Sequence, residues 1–180
     1  MFPTFSAAMP ASTSASATSA KATVAEHRLT LGELVKLLVE DGMVDAVVAD
    51  GLVKERRYHR GDVHPLVVIA DQNWKSLVPP HKPLILETLT EWLAAKVGLD
   101  YLHIDPLKID FSAVTEVVSN TYAGRFKILP IQVTTREVII ATAEPFLREW
   151  EKELKPILRK DIRRVVANPQ DIARYLVEFY

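Results

Sequence analysis

The most chemically loaded stretch of the chain is Lys54-Glu55-Arg56-Arg57-Tyr58-His59-Arg60. Guanidinium groups packed this densely can grip an anionic ligand or an acidic partner. The same cluster also suits the last turn of a helix, where cations meet the negative end of the helix dipole. Five histidines are the other candidates, at 27, 59, 64, 81 and 103. None forms an H-x-x-x-H or H-E-x-x-H pair. His59 and His64 flank Gly61 at a spacing foreign to zinc sites, so they read as a solvated loop and no metal is expected. His81 falls in a proline-rich loop. His103, between Leu102 and Ile104, reads as one face of a half-exposed extended segment. Of the tryptophans, Trp150 reads as core, while Trp92 is a candidate partner anchor, because buried aromatics anchor interfaces.

Several chemistries are excluded outright. The sequence has no cysteine, so thiolate metal sites, iron–sulfur clusters and a cysteine nucleophile are ruled out. No G-x-x-x-x-G-K-[ST] is present, so no glycine-rich loop can wrap a nucleotide's phosphates. G-x-G-x-x-G and G-x-S-x-G are absent as well. No catalytic constellation and no cofactor is expected in this chain. With 22 basic and 23 acidic side chains and a pI near 6.5, there is no electrostatic reason to expect nucleic-acid binding. Mean hydropathy is +0.07, and no apolar run reaches the roughly 18–20 residues that span a bilayer.

The elements that must position these groups follow from periodicity and caps. Residues 1–27 are mostly Ala, Ser, Thr and Pro and read as a disordered leader. Residues 28–83 form a helical hairpin and a connecting segment. Thr30-Leu31-Gly32-Glu33 predicts a capping box, with Glu33 reaching back to the cap. Leu31, Leu34, Val35 and Leu38 follow at helical spacing, and Gly42 stops the helix. Asp45 caps a second helix that turns Val48 and Leu52 inward. Leu66 to Ala70 is a buried strand or linker. Its unbroken apolar run has no period to decide which.

Residues 84–180 read as a compact α+β domain, a small three-stranded sheet with helices packed on one side. Leu86, Leu89, Leu93 and Val97 mark an amphipathic helix ended by Gly98. Ser112 is expected to cap a helix running through Val114, Val117, Val118 and Tyr122. A hairpin joins Phe126–Val133 to Glu137–Ala143 through Thr134-Thr135-Arg136. Phe146, Trp150, Leu154 and Leu158 share a helix face, and Pro156 kinks or ends that helix. Ile162–Ala167 is the third strand, with one of Arg163 and Arg164 outward and the other against a carboxylate. Asn168-Pro169 opens a last helix that buries Ile172, Leu176 and Phe179.

One ordered set of motifs goes further. It comprises Trp92-Leu93-Ala94 with Gly98-Leu99-Asp100-Tyr101, Ile104-Asp105-Pro106-Leu107-Lys108-Ile109-Asp110, and Tyr122-Ala123 with Arg125. Ile128-Leu129-Pro130, the run from Val138 to Phe146 and Asn168-Pro169-Gln170-Asp171-Ile172 complete it. In this order they resemble the N-terminal domain of the type II secretion and type IV pilus assembly ATPases, the general secretory pathway protein E-like family. The resemblance implies a non-catalytic docking module, cytoplasmic and peripheral to the inner membrane. Such a module links the motor to the cytoplasmic part of an inner-membrane platform protein, with the ATPase core in cis or in trans. It also implies that any core would follow Tyr180. Arg56, Arg57, Arg60 and Trp92 are the candidate partner-binding residues. Some relatives bind cyclic di-GMP through Arg-Leu-Gly motifs. Here Thr30 precedes Leu31-Gly32, Gly42 falls three residues late, and no second copy is apparent.

Overall fold

The computed structural model describes residues 25–57 and 61–180. The leader expectation up to residue 24, and the positions of Tyr58, His59 and Arg60, lie outside the described residues.

Four helices open the fold: α1 (Leu31–Glu40), α2 (Ala46–Arg56), α3 (Pro65–Ala70) and α4 (Leu86–Val97). The caps act where the sequence places them. Thr30 accepts the Glu33 amide, Asp45 accepts those of Val47 and Val48, and Gly42 and Gly98 sit at φ +71°. Glu33 does not reach back to the cap. Its carboxylate instead takes His27 Nε2 at 2.9 Å. On α2 the inward residues are Ala49 and Leu52, while Val48 is exposed. The run Leu66–Ile69 is a helix and no strand, started by His64 and Pro65, with all four side chains buried. That full burial is why it lacks a period.

The second half carries a short β1 (Asp100–Tyr101), a 3-10 turn (Pro106–Lys108), α5 (Phe111–Val117) and α6 (Asn120–Phe126). Then follow β2 (Ile128–Val133), β3 (Glu137–Thr142), α7 (Glu149–Leu158), β4 (Asp161–Val166) and α8 (Pro169–Phe179). The expected single helix through Tyr122 is two helices. Asp110, rather than Ser112, caps the first, Val118 is extended, and Ser119 caps the second.

The sheet has four strands in the order β1-β4-β3-β2. The fourth is β1, whose two residues pair parallel with Val165 and Val166; so short a strand leaves little alternation to detect. β2 and β3 form the antiparallel hairpin, and β3 and β4 run parallel, which requires the crossover that α7 supplies. Pro130 is tolerated because β2 is an edge strand. Ile140 and Ala141 are adjacent and fully buried. Neighbours in a strand point to opposite faces, so the sheet is covered on both sides there rather than on one. Arg163 faces outward, and Arg164 lies 3.2 Å from Glu151. α7 ends two residues after Pro156.

Two apolar cores result. One unites the sheet with α5–α8 around Trp150, Ile128, Leu129 and Ile140. The other joins α1–α4 around Leu34, Leu38, Leu66, Leu89 and Leu93, and reaches the sheet at Val166. Phe146 leaves the Trp150 stripe, stacking on His27 at 5.0 Å and packing with the helical core. Among the described residues, no helix is long and apolar enough to cross a membrane.

Candidate functional site

The seam between the two cores is built from residues far apart in sequence. His64 caps α3 with Nδ1, which accepts the Leu66 amide at 3.2 Å. Its Nε2 then carries the hydrogen and donates to Ala143 O at 2.9 Å. Glu144 sits beside it, Oε1 3.5 Å from Nε2, and its Oε2 accepts the Leu29 amide at 2.8 Å. Burial pushes the His64 imidazole down to about 4 and moves the Glu144 carboxyl up. Both shifts have one cause, since a charged form loses hydration in the seam. His64 is thus a structural clamp and not the solvated loop residue that its spacing from His59 suggested.

A cavity of about 580 Å³ opens over this seam. Arg28, Arg56 and Lys127 bring cations to it, and Asp62 and Glu144 bring carboxylates. Lys127 pairs with Asp62 at 2.7 Å, and Arg28 Nη2 donates to Arg125 O at 3.3 Å. The Lys127 ammonium holds the Asp62 carboxyl below its ordinary range. A second cavity, about 640 Å³, adjoins the first and shares Asp62, Val63, His64 and Lys127 with it. This one is a groove between α3, α6 and α8, with Val67, Leu176 and Val177 in its apolar lining. Val63 and Val177 stand exposed at its margins.

The sequence-selected residues separate. Arg56 lines the cationic cavity beside Thr30 and Leu31, at the N-terminus of α1. Arg57 is exposed at the end of α2, and Arg60 lies outside the described residues. Trp92 is half-buried, and its Nε1 donates to Asp41 Oδ2 at 2.8 Å, at the C-terminus of α1. Lys96 bonds the other Asp41 oxygen and, with Trp92, holds that carboxyl low. α1 has ten residues, about 15 Å of helix, so Arg56 and Trp92 serve its opposite ends. Arg28, His64, Lys127 and Glu144 were not selected from the sequence. Their seam joins positions up to 115 residues apart, and only the run ending Ala143-Glu144-Pro145-Phe146 hinted at it.

Residues 97–180 match the MshEN domain. Over 148 residues, 76% of its length, the chain is 36% identical to the type IV pilus assembly ATPase TfpB of Acinetobacter baylyi. The chain spans about a quarter of that relative, 25% of its length. Two solved structures share the fold: MshE with cdg, at TM-score 0.52 and 18% identity, and the N-terminal domain of XpsE, at 0.52 and 15%. The first alignment covers 85% of this chain and 100% of the other, and the second covers 86% and 98%.

Proposed function

Because residues 97–180 are an MshEN domain and the chain is homologous to a type IV pilus assembly ATPase, we propose that it is a non-catalytic docking module of such a motor. Its partner is the cytoplasmic part of an inner-membrane pilus or secretion platform protein, and it works in the cytoplasm at that membrane. The observation that carries this reading is the pairing of an apolar groove with a cation-lined cavity on one face. Specific interfaces have that make-up, an apolar centre inside a polar rim. Val67 and Leu176 supply the apolar floor, Val63 and Val177 its exposed apolar margins, and Arg28, Arg56 and Lys127 the charged edge. Arg57 follows Arg56 and is exposed at the end of α2, and Arg60 comes three residues later in the sequence. Trp92 is turned to the far end of α1 and is the weaker anchor.

The test is binding of the purified chain to purified cytoplasmic segments of the platform proteins encoded in the same genome, without nucleotide. Val177→Asp and Arg56→Ala should each weaken a saturable complex. If no segment binds, or if both variants bind like the wild type, this face is not a docking site.

A second reading, a cyclic di-GMP-binding regulatory module, is favoured by one feature. Three cations converge on the seam cavity, and MshE, of like fold, has been solved with cdg. Against it, Asp62 already engages Lys127, and Thr30 stands where the Arg-Leu-Gly pattern wants arginine. Calorimetric titration with cyclic di-GMP separates the readings, because the docking module needs no nucleotide.

A further inference from the structure

On another face, three potential metal ligands meet from three separate elements. Glu87 lies in the first turn of α4, His103 follows β1, and Asp171 lies in the first turn of α8. One ligand atom from each lies within 4.8 Å of the other two. His103 Nδ1 is 3.9 Å from Glu87 Oε2. We infer that Glu87, His103 and Asp171 form a binding site for a borderline divalent ion, with Zn²⁺ the best-matched one.

The donor set argues for this class of ion. An imidazole with two carboxylates is a ligand set that zinc accepts, with water completing the shell. Magnesium and calcium select all-oxygen sites. Zinc bonds near 2.0–2.2 Å place tetrahedral ligands about 3.3 Å apart, so the three groups need to close by roughly an ångström. His103 can move toward the two carboxylates, because its side chain is 69% exposed.

The surroundings are arranged as outer-shell support. Tyr101 OH donates to Glu87 Oε2, and Asn168 Nδ2 donates to Glu87 Oε1 at 2.9 Å. Such bonds orient a ligating carboxylate and leave its remaining lone pairs for the ion. Arg174 donates to Asp171 Oδ1 at 2.9 Å, which leaves the second oxygen of Asp171. The cavity here also holds Asp105, Lys108 and Arg174. Its three carboxylates exceed its two fixed cations by one charge, so a divalent cation is electrostatically admitted. An ion here would pin α4, from the helical core, to α8, from the sheet core.

The test uses the full chain, stripped with chelator and titrated with ZnCl₂ by calorimetry, with MgCl₂ in parallel. The expected result is one Zn²⁺ per chain, no Mg²⁺ binding, and a Zn²⁺-dependent rise in melting temperature. His103→Ala and Glu87→Gln should each weaken Zn²⁺ by about tenfold or more, and His81→Ala should leave it unchanged. His103 is exposed, so its variant is expected to fold, and circular dichroism checks that it has. No saturable Zn²⁺ binding would overturn the site. So would Zn²⁺ affinity that survives His103→Ala within twofold, or Mg²⁺ binding as tightly as Zn²⁺.

Discussion

His64 Nε2 donates to the carbonyl oxygen of Ala143 at 2.9 Å, so a histidine that caps one helix also ties the helical core to the end of a sheet strand. The folded protein holds this imidazole neutral, its pKa lowered by burial to about 4 from 6.5. A proton therefore binds the unfolded chain first as pH falls. Stability rises with pH wherever the unfolded state holds more protons. The His64 contribution is thus full above pH 6.5 and is lost between 6.5 and about 4, on the order of 3 kcal/mol. Glu144 works in the opposite sense, because its raised carboxyl favours the protonated folded state. Melting temperatures from pH 7 to 4.5, in wild type and His64→Asn, isolate the histidine. Asparagine can still cap α3 but cannot titrate, so its profile should be flatter. Parallel profiles would contradict the clamp.

Trp150 is fully buried at the centre of the sheet core. Its Nε1 is a buried donor without an acceptor among the described residues. Trp150→Ala should cost about 3–5 kcal/mol, from lost transfer energy and the cavity left behind. Trp150→Phe keeps most of the ring and removes the unsatisfied donor, so it should cost clearly less, about 1–2 kcal/mol. Urea unfolding of both variants measures the difference, and equal losses would show that the indole N–H has a partner.

Gly98 ends α4 at φ +71°, and a Cβ built there meets nothing within 4 Å. The cost of a side chain is therefore conformational and not steric. Gly98→Ala should lose about 1 kcal/mol, the order of the left-handed penalty for an L-residue, and Gly98→Asn less. Denaturant midpoints check the ranking. Alanine and asparagine falling equal would mean that the helix end rearranges.

What was legible in the sequence was local. Thr30, Asp45, Gly42, Gly98 and Asn168-Pro169 each act within a turn of their position, and each cap is where the residue type puts it. The hairpin was readable because alternation and a short turn suffice to define it. What was hidden needed partners distant in the chain. Leu66–Ile69 is helical because His64 caps it and the helical core buries Leu66, Val68 and Ile69. Val118 breaks a helical pattern because Ser119 starts a new one. The seam of Arg28, His64, Lys127 and Glu144, and the meeting of Glu87 with His103 and Asp171, arise from tertiary packing. No spacing rule covers them.

The two sequence-selected anchors make opposite forecasts, and their placement at opposite ends of α1 decides which is expected. Trp92 Nε1 is committed to Asp41, and its ring packs at the edge of the helical core. Trp92→Phe should therefore cost stability, about 1 kcal/mol for a hydrogen bond to an exposed carboxylate, and leave partner affinity within threefold. Arg56 lines the cationic cavity that adjoins the apolar groove, and Arg57 is exposed next to it in the chain; their double alanine variant should do the reverse. Its melting temperature should hold, while association slows and the salt dependence of binding flattens, because rim charges act mainly on encounter and are screened within about 8–10 Å. Thermal unfolding together with binding kinetics at two salt concentrations measures both halves. If Trp92→Phe abolishes binding with stability intact, the docking face is the Asp41 end of α1 instead.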